Sequence, residues 1–309
     1  MGTNALPARV SEAPRGMALA AVAAGTVLLF WPSLKAAATL ALRDDRYLLV
    51  LLALPACGLL LFWNRKEIFA RAHSSRHAGA SLGVLATLLG AAWLTGIRPG
   101  VEGAALALSI TAAVLLCLVA FILYFGAGSF RTGLYPLCCL LLMMPPPPAW
   151  MDRVGAALQH GSASLSYGIL RISGIPVLRH GMQFSLPGLD FEVGPECSGI
   201  HSSLALLMIA VVAAYIYLRS GWSRTALLVL TVPVVLLKNA LRIVLITTLA
   251  VYVNRIFLDG PFHHRYGGLI FGGLGAVLFF WILFGLQKIE RVRLRGRPVD
   301  CDVARLPGR

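Results

Sequence analysis

Apolar residues in this chain fall into long runs separated by short polar breaks. A bilayer hydrocarbon core of about 30 Å needs about 20 helical residues to cross it. Eight stretches approach that length, at 17–33, 47–63, 78–97, 101–126, 132–146, 197–218, 225–253 and 267–287. The pattern predicts an all-α polytopic membrane protein with about eight transmembrane helices. No strongly basic segment and no Ala-x-Ala site frames the first stretch, so it is expected to be a retained span and not a signal peptide. The one large polar interruption is 147–196. Within it Met151, Val154, Leu158, Leu165, Ile169 and Ile172 recur at helical steps, which predicts an amphipathic helix suited to the membrane interface. Residues 183–193 then alternate, with Phe184 and Leu186 before Pro187-Gly188 and Leu189, Phe191 and Val193 after it. Pro-Gly fits the centre of a type II turn, so a small β-hairpin is expected to lead straight into Cys197.

The expected organisation is a single integral membrane domain over 1–309. It comprises five spans in 16–146, a loop at 147–196, three spans in 197–287 and a basic tail at 288–309. The fifth stretch is short and ends in the run Pro145–Pro148, which blurs its boundary.

Composition agrees with this pattern. The 309 residues are 58% hydrophobic and only 13% charged, against about 25% charged in soluble domains. Mean hydropathy is +0.78. These values exclude a soluble enzyme, a disordered chain and a DNA-binding domain, despite a net charge of +14. Basic charge in such a chain speaks first to orientation, and no nucleic-acid partner is expected. With the N-terminus placed in the cytoplasm, sixteen Lys and Arg residues fall in inner segments and nine in outer ones, while Lys238 and Arg242 lie inside a span. Both termini are therefore expected in the cytoplasm, and the 147–196 loop is expected to be extracytoplasmic.

Of six cysteines, Cys57, Cys117, Cys138 and Cys139 sit in apolar runs and read as small hydrophobes, while Cys301 lies in the basic tail. No CxxC pair or zinc spacing occurs, and no metal or cofactor is expected. Cys197 differs. It lies in Gly194-Pro195-Glu196-Cys197-Ser198-Gly199-Ile200-His201, at the expected start of the sixth span. The positive end of a helix favours a thiolate there, and exposed N–H groups can bind an oxyanion. Cys197 is thus a candidate nucleophile, although a small apolar residue at a helix start would read the same way.

Two further clusters could join it. Lys238-Asn239-Ala240-Leu241-Arg242 interrupts the seventh span, where a charge costs about 2.5–3.5 kcal/mol on insertion scales and needs a partner or a role. Asn239 and Arg242 share a helical face, Arg242 falls in the outer half, and Lys238 has no evident partner. A structural ion pair or a snorkelling side chain is the plain alternative. Gly260-Pro261-Phe262-His263-His264-Arg265-Tyr266-Gly267 stands at the outer start of the eighth span. Histidine suits proton transfer near neutral pH, though an interfacial histidine is often merely solvated. The orientation obtained from charge counting places all three clusters toward the outer face. A thiol, a proton carrier and a fixed cation are what acyl transfer from a peptide needs.

In these motifs, Glu196-Cys197-Ser198-Gly199-Ile200, Asn239-Ala240-Leu241-Arg242 and Gly260-Pro261-Phe262-His263 with Gly267, the sequence resembles the exosortase/archaeosortase family of membrane cysteine transpeptidases. Each motif alone is weak; three in this order are specific. The resemblance is specific over about 183–280 and only compositional before that. It implies that Cys197 attacks the scissile carbonyl and forms a thioester, that His263 is the acid/base with His264 as fallback, and that Arg242 stabilises the charged intermediate or holds substrate. Asn239, Ser198, His201 and Glu196 are the implied supporting residues. It implies a bacterial inner-membrane enzyme whose site faces the extracytoplasmic side. Its partners would be the lipid bilayer and membrane-anchored proteins bearing C-terminal sorting signals of the PEP-CTERM type, made of a motif, a transmembrane helix and a basic cluster.

One departure is His201, where many bacterial members carry Arg after the Cys-Ser-Gly-Ile run. Cys197 and His201 are four apart and would share a helical face, so His201 is a second candidate base, a substrate contact or a plain replacement; a zinc pair would want more ligands. Two other readings stand beside the enzyme. One is a transporter or channel with Lys238 and Arg242 in its path. The other is a non-catalytic envelope or polysaccharide assembly protein. The oligomeric state is not legible.

Overall fold

The computed structural model describes residues 13–70, 78–96, 99–194, 199–254 and 267–295. Among these, six helices are long and apolar enough to cross a membrane: Met17–Arg43, Asp45–Trp63, Gly103–Thr132, Ile200–Tyr217, Gly221–Tyr252 and Ile270–Arg293. Eight were expected. The third expected stretch forms α4 (Ala78–Leu94), an apolar helix of 17 residues next to residues outside those described. The fifth breaks into α6 (Leu134–Cys138) and a 3-10 stretch, Cys139–Met143. Leu134–Met143 would cover about 15 Å as an α-helix, half the hydrocarbon thickness. Gly133 precedes it and the prolines from Pro145 on deny it further turns.

The described chain divides into two compact units, 1–153 and 154–309. The first contains α1 (Ala13–Arg43), a 3-10 turn at Asp45–Tyr47, α2 (Leu48–Trp63), α3 (Arg65–Ala70), α4, α5 (Gly103–Thr132) and α6. The α1 helix outruns its expected end at 33 by ten residues, because Ala36, Ala37 and Ala38 favour helix and carry it past Pro32 and Lys35. Its Val22, Leu29 and Phe30 pack with Leu82 and Leu89 of α4 and Ala113 and Ala120 of α5. The α5 helix also runs past its expected end at 126, bending at Gly126, whose φ of 85° only glycine adopts readily. Ser33 donates to the carbonyl of Gly100 at 2.8 Å, and the Gly100 N–H donates to Ser109 Oγ at 2.8 Å. A Cβ on Gly100 would stand 2.3 Å from that of Ala105, so the turn into α5 requires glycine there. Beyond the end of α1, Arg46 donates to both carboxylate oxygens of Asp44 and to Asp152 at 2.6 Å. The hydrogen bond from Arg46 holds the Asp44 carboxyl below its ordinary pKa, against the opposing effect of burial.

The second unit begins within α7 (Pro148–Ile172) and continues through β1 (Leu178–His180), β2 (Gln183–Leu186), β3 (Leu189–Glu192), α8 (Ile200–Tyr217), α9 (Gly221–Tyr252) and α10 (Gly267–Arg295). The strands form one antiparallel sheet in the order β1-β2-β3, with Phe184 opposite Phe191 and Leu186 opposite Leu189 across the Pro187-Gly188 turn. The third strand, β1, pairs Arg179 with Phe184; its short sequence carries no alternation from which to expect it. Phe184 is fully buried, stacked on Phe191 at 5.3 Å. It shares a core with Ala163 and Leu170 of α7 and Ile243 of α9, so the sheet is seated on both helices. Burial of a side chain of that size contributes about 1.5–3 kcal/mol. A second core joins Leu206, Ala210 and Ala213 of α8, Leu227 and Val234 of α9, and Phe279 and Leu283 of α10.

The apolar stripe of α7 packs only in part: Met151 is buried and Leu158 lies against the core of α8, α9 and α10. Ser162, Ala163 and Ser166 are fully buried, whereas Val154, Leu165 and Ile172 are exposed. Small residues let helices approach closely, and Gly161 does so here: a Cβ on it would lie 2.9 Å from Leu236 of α9. Val154, Leu165 and Ile172 of the stripe are left facing outward, as an interfacial helix would present them.

Candidate functional site

Glycine at 199 organises the described part of the site. It adopts φ +64° and stands immediately before α8, which starts at Ile200. A side chain there would be strained by its backbone and also blocked: an added Cβ would lie 3.2 Å from Asn239 Oδ1. The Gly199 carbonyl accepts three hydrogen bonds from the first turn of α8, from the Ser203 N–H at 2.9 Å, Ser203 Oγ at 2.7 Å and Ser202 Oγ at 3.0 Å. The turn that follows the Glu-Cys-Ser segment is thus fixed both by its own helix and by α9.

On α9, Asn239 is 1% exposed and donates through Nδ2 to Ser162 Oγ of α7 at 3.0 Å. Ser166, one turn further along α7, donates to the Ala240 carbonyl at 3.3 Å and to Ser162 O at 2.7 Å. Gln159, one turn earlier, donates to the carbonyl of Val193, which directly follows β3. The polar face Gln159, Ser162, Ser166 therefore ties α9 and the end of the hairpin to one helix. A buried carboxamide needs such partners, since leaving one of its groups unsatisfied costs about 1–3 kcal/mol.

Lys238 is 5% exposed, and its ammonium donates to Ser202 Oγ on α8. Its stem lies against α10 at Gly275, where an added Cβ would stand 2.9 Å from Lys238 Cδ. Sequence alone offered this lysine no partner; the structure supplies a hydroxyl and a glycine notch. Arg242 lies one turn beyond Lys238 on α9 and is half-buried. His201 sits in the first turn of α8 and is exposed. The expected shared helical face of Cys197 and His201 involves a residue outside those described; on the described side, Gly199 is left-handed and α8 begins at Ile200.

Of the expected site residues, the structure brings Asn239 against the glycine of the cysteine motif and puts Arg242 one turn further along the same helix. Glu196, Cys197, Ser198, His263 and His264 lie outside the described residues. Reading α7 only through its apolar stripe missed Gln159, Ser162 and Ser166. Their spacing of three and four was the available signal, a polar helical face of small serines. Among the described residues no group of His, Cys, Asp or Glu is placed to hold a metal ion.

No curated protein and no solved structure matches the chain. A model of the family described as transmembrane exosortase matches residues 41–281, an interval that takes in the cysteine motif, the Asn239–Arg242 motif and the histidine motif. With that match over most of its length and with its apolar helices, the chain belongs to the transmembrane exosortase family, multi-pass membrane proteins of sortase-like processing role.

Proposed function

We propose that this protein cleaves C-terminal sorting signals of the PEP-CTERM type from exported proteins, at the extracytoplasmic side of a bacterial inner membrane, through a thioester on Cys197. The observation that carries this reading is the seat of Gly199 against Asn239. It joins the chain segment two residues after the cysteine to the helix that bears Arg242. Two motifs separated by about forty residues in sequence meet at the backbone of one and the carboxamide of the other.

In the proposed reaction the Cys197 thiol gives its proton to His263 and the sulfur attacks the scissile carbonyl carbon. A C–S bond forms and the carbonyl oxygen takes up negative charge. Collapse breaks the C–N bond, and the proton held by His263 passes to the leaving amine, which departs with the substrate's transmembrane helix. Arg242 stabilises the oxyanion, in a low-dielectric setting where a fixed cation acts more strongly than in water. Attack by an amine or by water then releases the acyl group and returns the thiol. The substrate helix, docked beside the last three spans, supplies the binding energy that positions its motif.

Lys238 is buried against Ser202 and Gly275, which gives a transport path no exposed cation at that position. The test is processing of an exported protein fused to such a signal, followed by its mass shift. Cys197→Ala is expected to abolish cleavage with the protein still present in the membrane, and His263→Ala is expected to reduce it far more than His264→Ala. Normal cleavage by Cys197→Ala would end the assignment.

A further inference from the structure

Among the described residues, Lys238 is the one buried ammonium, and this reaction leaves it without a task. Its surroundings are defined. The side chain is 5% exposed, its stem fills the notch at Gly275 of α10, and its ammonium donates to Ser202 Oγ. An ammonium takes no acceptor role of its own, so the direction of this bond is fixed: Lys238 donates, and the Ser202 oxygen receives. The Ser202 hydroxyl proton is then committed elsewhere, and it goes to the Gly199 carbonyl at 3.0 Å. A relay thus runs from α9 through the first turn of α8 to the backbone of the left-handed glycine, two residues after Cys197 in the chain. Polarisation of the serine by a cation strengthens the hydrogen bond it donates onward. Asn239, the next residue on α9, blocks the other side of the same glycine. Gly199 is consequently gripped from two consecutive positions of one helix, once through its carbonyl and once at its Cα.

We infer that Lys238 is a positioning residue for the nucleophile segment, acting through Ser202 to hold the Gly199 turn in its left-handed form. This rests on the assignment of Cys197 as nucleophile. It differs from a stabilising role because what it fixes is the approach of the chain to the reacting thiol, so its loss is felt in turnover and not in substrate capture.

The experiment uses the full-length protein in membranes, with the exported fusion bearing a motif–helix–basic-cluster tail as probe, and reads kcat, KM and folded amount. Ser202→Ala is expected to lower kcat about tenfold, the equivalent of one charge-assisted hydrogen bond, with KM within about twofold of wild type. Ser202→Thr, which keeps the hydroxyl, restores the rate. Lys238→Met, which keeps the stem against Gly275, loses about as much as Ser202→Ala, and the double variant loses no more than either, as one relay requires. The inference is overturned by wild-type kcat in Ser202→Ala, by additive losses in the double variant, or by a loss that follows folded amount or KM alone. Where Lys238→Met does not accumulate, the Ser202→Ala and Ser202→Thr pair decides the matter. Cys197→Ala serves as the separate control: if it still cleaves, the nucleophile assignment fails, whereas an inactive Cys197→Ala beside an unaffected Ser202→Ala refutes the relay alone.

Discussion

Gly199, just before α8, and Asn239 of α9 meet closely: the carboxamide oxygen of Asn239 lies 3.2 Å from where Gly199 would carry a Cβ. The backbone at Gly199 is also left-handed, with φ +64°. Gly199→Ala therefore meets two separate penalties, about 1–2 kcal/mol for the left-handed backbone and a further steric term against Asn239. Cleavage of a sorting-signal fusion is expected to fall at least tenfold. Combining it with Asn239→Ala, which opens the space, is expected to relieve the steric part only. The initial rate of processing and the thermal midpoint in detergent measure the two effects.

Asn239 and Ser162 form a buried pair between α9 and α7. Asn239→Ala leaves the serine hydroxyl without that donor and opens a gap, so a loss of about 1–3 kcal/mol in unfolding free energy is expected. Ser162→Ala is expected to lose a similar amount. The double variant is expected to lose less than the sum of the two, the signature of direct contact. Denaturant titration of the detergent-solubilised protein measures all three.

How far the sequence led is best seen at α9. Its length, the intramembrane Lys238 and Arg242, and the shared face of Asn239 and Arg242 were all readable from spacing, because helical period and the rarity of charge in apolar runs are local signals. The partner of Lys238 was not readable, since Ser202 lies 36 residues away and looks like any serine at a helix start. The same holds for α7. Its Leu/Ile periodicity announced a helix, but much of the face that packs consists of Gly161, Ser162, Ala163 and Ser166, residues with too little hydrophobicity to register. The 132–146 stretch misled in the other direction: composition alone made it a span, and the proline run cut it short. The β2–β3 alternation was visible, whereas β1 depends on pairing with β2.

Glu290 offers a prediction far from the chemistry. Its carboxylate, 8% exposed, accepts from the backbone N–H groups of Arg219 and Ser220 in the connection between α8 and α9. Glu290→Ala leaves both donors without that acceptor and is expected to cost about 1–3 kcal/mol in stability. Glu290→Gln, which keeps one acceptor oxygen, is expected to cost less. Turnover per folded molecule should stay at the wild-type value in both. Folded yield from size-exclusion chromatography, set beside the cleavage rate, separates the two quantities.

Asp44 carries a pH prediction. Its carboxyl is held below its ordinary pKa by Arg46. A group with a depressed folded pKa stabilises the folded state above its unfolded pKa, and that contribution disappears as pH falls through the folded value. The difference in thermal midpoint between wild type and Asp44→Asn is therefore expected to be constant from pH 7 down to about 5, and to shrink in more acidic buffer. A difference that grows on acidification would contradict the assignment.

The glycine notch at position 275 has a bearing on biogenesis. Lys238 emerges from the ribosome and enters the bilayer well before Gly275 does, yet the stem of the lysine is sheltered by the later helix. During that interval the newly inserted seventh hydrophobic segment carries a cation that its eventual neighbour has not yet covered. The cover over that stem is thus completed only when α10 arrives, and nascent chains arrested before that helix should label at this amine faster than the finished protein does.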